Sequence, residues 1–84
     1  MEKAIYSREY KILLRLLRET REAAEFTQVE LARRLKQTQS FVSKIELGDR
    51  RLDLVQLRTI LIALGTSLGE FVAGFEDALN ERHR

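Results

Sequence analysis

The sequence predicts an all-α fold of five short helices. Three observations carry that prediction: capping side chains stand ahead of each apolar stretch, apolar residues recur at intervals of three and four, and nothing alternates as a strand would. Composition agrees. The 84 residues are 44% hydrophobic and 33% charged, with four glycines and no proline, as expected of an ordered, helix-rich chain rather than a linker. A folded chain of this length buries only about 60–65% of the surface its unfolded form exposes. Two cores would not fit, so residues 1–84 are expected to form a single domain.

The helices follow in order. Ser7 can start a first helix over about residues 7–24, with Tyr10, Leu13, Leu14, Leu17 and Ala24 on its apolar stripe and Ile5, Ile12 and Leu16 off it. Thr27 and Glu30 form a capping-box pattern, in which hydroxyl and carboxylate each satisfy an open backbone amide, and Phe26 and Leu31 are the hydrophobic staple. That predicts a helix over 28–36 with Leu31, Ala32 and Leu35 buried. Thr38 can cap a third helix over 39–47, with Val42 and Ile45 inward and Gly48 available for a left-handed end. Asp53 and Gln56, with Leu52 and Leu57 as staple, repeat the capping box for a helix over 53–64 that Gly65 closes. Its apolar face is Leu54, Leu57, Ile60, Leu61 and Leu64. Ser67 and Glu70 open a fifth helix over 67–81, where Leu68, Phe71, Val72, Phe75 and Leu79 keep helical spacing.

Several function classes drop out on composition. Without cysteine there are no thiol nucleophiles, iron–sulfur clusters or thiolate zinc sites. A single histidine, His83, cannot furnish a Ser-His-Asp triad or a multi-histidine metal site within one chain. No catalytic residues, metal or cofactor are therefore expected, and no enzymatic activity. The longest apolar run, Ile60 to Leu64, is far shorter than the about 20 residues of a membrane-spanning helix. Nor does the N-terminal stretch resemble a secretory signal. The expectation is a cytoplasmic protein with no membrane partner.

The net charge of +2 conceals an uneven distribution. Residues 1–25 carry six bases and five acids, residues 26–52 six and three, and residues 53–84 three and five. A basic centre suits a polyanion, whereas the acidic end faces something else.

Residues 28–47 sit in that basic centre. They read as two helices joined by a short turn, with the small Ala32 allowing close approach and Val42 and Ile45 packing on Leu31 and Leu35. Such packing leaves Gln39, Ser40, Ser43 and Lys44 facing outward. A polar helix face held rigidly outward is how an all-α domain offers side chains to the DNA major groove.

The segments Thr27-Gln28-Val29-Glu30-Leu31-Ala32-Arg33-Arg34-Leu35 and Gln39-Ser40-Phe41-Val42-Ser43-Lys44-Ile45-Glu46-Leu47-Gly48 resemble the Cro/phage-repressor (XRE-type) helix-turn-helix family. The later pattern of Leu54, Leu57, Ile60, Ala63-Leu64-Gly65 and Ser67 is similar too, so the resemblance spans roughly residues 10–75. It implies a five-helix phage-repressor-like domain whose partner is double-stranded DNA. By position, it implies that Thr38, Gln39, Ser40 and Lys44 read base edges, and that Gln28, Ser43, Arg50 and Arg51 lie on phosphates. The chemistry suits them: Gln bonds adenine N6 and N7 together, Lys donates to guanine O6 and N7, and a helix N-terminus attracts phosphate. The competing reading of each is an ordinary exposed side chain or cap. Arg21 and Glu46 match a structural ion pair between the first and third helices.

Departures from the family pattern bear on the turns. Lys36 and Glu25 stand where glycines usually permit positive φ, at a cost on the order of 1 kcal/mol each, and Gln37 replaces an apolar residue. Phe41 has two readings: contact with a thymine methyl, or partial burial against Ile45.

The resemblance further implies a transcriptional regulator, a small repressor working as a homodimer on a near-palindromic operator. Phe71, Val72, Phe75 and Leu79 are the candidate dimer surface, unless they simply close the core; Ile5, Ile12 and Leu16 are a second candidate patch. The alternative is an antitoxin or adaptor whose hydrophobic last helix binds a toxin or other protein.

Overall fold

The computed structural model describes residues 7–81, leaving Ile5 and His83 outside the described residues. Among the described residues there are five helices: α1 (Arg8–Ala23), α2 (Gln28–Leu35), α3 (Gln39–Leu47), α4 (Leu54–Ala63) and α5 (Leu68–Glu81). The expected spans differ from these only at their ends, where cap residues had been counted as helix.

Each helix starts where a side chain accepts an otherwise open backbone N–H. Ser7, Thr27, Thr38, Asp53 and Ser67 accept from the residue three positions on, at 2.7–3.1 Å. Two capping boxes are complete, as Glu30 accepts from the Thr27 N–H and Gln56 from the Asp53 N–H. At α5 no such box forms, because Glu70 accepts instead from the Thr66 hydroxyl at 3.4 Å. The Thr27 backbone N–H, then its hydroxyl and the nearby Arg33 charge, hold the Glu30 carboxyl below its ordinary pKa. A depressed carboxyl pKa means that this cap supports α2 at neutral pH and loses its contribution as pH falls through the folded-state value.

All four connections turn through positive φ. Gly48 and Gly65, both at φ 85°, do so without strain, whereas Glu25 at 63° and Lys36 at 57° carry a Cβ into the left-handed region. At those two positions glycine would relieve a clash and give back part of the gain as chain entropy. Glu25→Gly and Lys36→Gly are each expected to raise stability by up to about 1 kcal/mol, read as an increase in Tm at about 4–8 °C per kcal/mol for a domain of this size.

The helices enclose one core. α2 packs on α3 and α4, while α1 packs on α3 and α5, and α4 closes onto α5. Leu17, Leu31, Ala32, Val42, Ile45, Leu57, Ile60, Leu61, Leu64 and Phe71 are its buried members. Leu61 is fully buried and Ile45 nearly so.

Three expectations need correction. Ile12 is buried and so cannot form an exposed patch, because a helix with two neighbours buries more than one stripe. Leu54, the first residue of α4, is 64% exposed and contributes nothing to the core. Phe71 is only 7% exposed and belongs to the core, which removes it from any dimer surface. Val72 is exposed, with Phe75 and Leu79 half-buried.

Candidate functional site

α3 is nine residues long, too short to hold a fixed orientation alone. Val42 and Ile45 fix it through the core with Leu31 of α2 and Leu17 of α1. Polar contacts fix it again from the outside.

Arg21, 8% exposed, spends its guanidinium on three acceptors. Nε donates to Glu46 Oε2 at 2.7 Å, Nη2 to Glu46 Oε1 at 3.2 Å, and Nη1 to the Phe26 carbonyl at 2.7 Å. The predicted ion pair is present, bidentate, and tied to the chain leading into α2. Glu46 Oε1 accepts a further bond at 3.0 Å from Gln28 Nε2, and Gln28 Oε1 accepts at 3.3 Å from Gln39 Nε2. A continuous chain, Arg21 to Glu46 to Gln28 to Gln39, thus runs from α1 to the first residue of α3.

That chain determines what each amide can still do. Gln28 retains one N–H, and Gln39 retains one N–H together with its carbonyl oxygen. A free N–H beside a free carbonyl is the pair that bidentate contact with adenine requires. The sequence reading placed Gln28 on phosphate but missed its bridging role. The available signal was that positions 28 and 39 are the first residues of two adjoining helices, both occupied by a side chain that donates and accepts.

The outward face of α3 is as expected for Gln39, Ser40 and Lys44, which are exposed, while Ser43 is half-buried. Thr38 is exposed too, but its oxygen accepts the Phe41 N–H at 3.1 Å, leaving its own O–H as a donor. Beyond α3, the Arg50 N–H donates to the Lys44 carbonyl at 3.1 Å. The Arg50 guanidinium carbon lies 4.7 Å from the centre of the Phe41 ring. Phe41 is half-buried against the core, which decides between its two readings in favour of partial burial. Arg51 is exposed.

Electrostatically the surface is open to an anion. Among the described residues the ion pairs are Arg8 with Glu9, Arg15 with Glu19 and Arg21 with Glu46. None of them uses Arg33, Arg34, Lys36, Lys44, Arg50 or Arg51. Arg33 lies near the Glu30 carboxylate, but the rest of this central excess of bases has no ion-pair partner among the described residues, and the potential it generates attracts polyanions.

No single helix among the described residues is long and apolar enough to cross a membrane. A family model described as helix-turn-helix matches residues 17–71, from the middle of α1 to the start of α5. No curated protein matches the chain significantly.

Proposed function

The chain belongs to the Cro/phage-repressor (XRE-type) helix-turn-helix family of DNA-binding regulators, and from that premise we propose that it is a sequence-specific repressor that binds a near-palindromic operator as a homodimer. The observation that carries this reading is the hydrogen-bonded chain ending on Gln39, which holds an unsatisfied donor and acceptor on the exposed face of α3. In this reading Thr38, Gln39, Ser40 and Lys44 contact base edges, while Gln28, Ser43, Arg50 and Arg51 contact phosphates and set the docking angle. The protein acts in the cytoplasm, has no catalytic role, and pairs through the part of α5 that includes Val72, Phe75 and Leu79.

Selection of bound duplexes from a random pool tests the proposal. The expected product is a near-palindrome with half-site centres about 34–36 Å apart, bound at least about 10³ times more tightly than random duplex. Its log affinity should fall linearly with log salt. Enrichment of no sequence would contradict the assignment.

A second reading has support in the exposed apolar residues Val55 and Ile62 of α4. They suit a toxin or other protein partner, as in an antitoxin. A stable complex of fixed stoichiometry with a co-expressed neighbour would favour it.

A further inference from the structure

Resting on the DNA-binding reading above, we propose that Lys11, Arg15 and Arg18 form a second phosphate-binding surface, on α1, which meets the DNA backbone beside the C-terminal end of α3. Their spacing of i, i+4 and i+7 puts three cations on one helix face. They line an open groove together with Leu14, Glu46 and Leu47. The groove is net positive: Glu46 is already paired with Arg21, and neither Lys11 nor Arg18 has an ion-pair partner among the described residues. Arg15 approaches Glu19 at 3.7 Å with both side chains about half exposed, a contact too weak in water to withhold it from phosphate. Glu19 and Glu22, within about one turn of Arg18, are the acids beside this face, and the three cations outnumber them.

Position selects the ligand. Leu47 is the last residue of α3 and 71% exposed, so the groove opens at the end of α3 from which the chain continues to Arg50 and Arg51. Cations from two elements, the turn after α3 and the face of α1, therefore flank one end of the helix that would enter the DNA. A helix in the major groove lies between two phosphate backbones. Continuity with α3 favours that polyanion over a separate acidic partner.

The test compares the parent with a Lys11→Gln, Arg15→Gln, Arg18→Gln triple variant. All three side chains are exposed, so circular dichroism and Tm should match the parent. Fluorescence anisotropy with the selected operator and with random duplex, over about 50–300 mM salt, supplies the readout. The salt slope should become shallower by about 2.7 per bound protomer, with affinity at about 0.1 M salt lower by roughly 50-fold or more on both DNAs. The operator-to-random ratio should not change, because phosphate contacts carry no sequence information. A variant with parental affinity and slope overturns this proposal alone. A parent that binds no DNA overturns both this and the repressor reading, and a lower affinity at unchanged slope, with altered oligomeric state, assigns the face to protein contact instead.

Discussion

Replacing Arg21 with alanine is expected to cost about 3–5 kcal/mol of folding stability, the range for breaking a buried ion pair from one side. Both side chains of the pair are nearly inaccessible, 10% exposed for Arg21 and 6% for Glu46. The variant would strand a carboxylate with Gln28 as its remaining partner and leave the Phe26 carbonyl without its donor. Domains are stable by only about 5–15 kcal/mol, so the loss should be visible as a large drop in Tm and in the urea midpoint. The converse experiment separates stability from function. Arg21→Met with Glu46→Leu removes both charges, and such replacements are often neutral or stabilising. Folding should recover towards the parent while DNA affinity does not, because Gln28 loses the carboxylate that orients it.

Gln39→Ala combined with Lys44→Ala should weaken operator binding by about 2–6 kcal/mol, the sum of two base contacts at about 1–3 kcal/mol each. Neither residue lies in the core and both are exposed, so the unfolding midpoint should not move. The single variants are distinguishable. Gln39→Ala removes no charge and should leave the salt slope unchanged, with its loss confined to an A·T pair. Lys44→Ala should relax preference at a G·C pair and also weaken binding to random duplex through the lost charge. Competition titrations with operators altered at single positions read each effect separately.

The caps were the most legible part of the fold, because each is local. Thr27 with Glu30 and Asp53 with Gln56 state their geometry within four residues, and both boxes form. The positive φ at Glu25 and Lys36 was legible by a different route, from side chains standing where the family places glycine. Less legible was which apolar residues lie inside. A helical stripe shows which side chains share a face, not which neighbours cover it, so Ile12 and Phe71 proved buried and Leu54 exposed. Least legible was the bridge through Gln28, which joins residues 18 and 11 positions away in sequence. Motif spacing brings the two helix starts together. Only packing sets the amide orientations that leave Gln39 with a free N–H and a free carbonyl.

Side-by-side selection from one random DNA pool with the parent and with Gln39→Ala tests that last point most directly. The account predicts the same near-palindrome for both, except that one A·T position in each half-site loses its preference in the variant. Identical preferences at every position would contradict it, because the exposed amide at the head of α3 would then be reading no base.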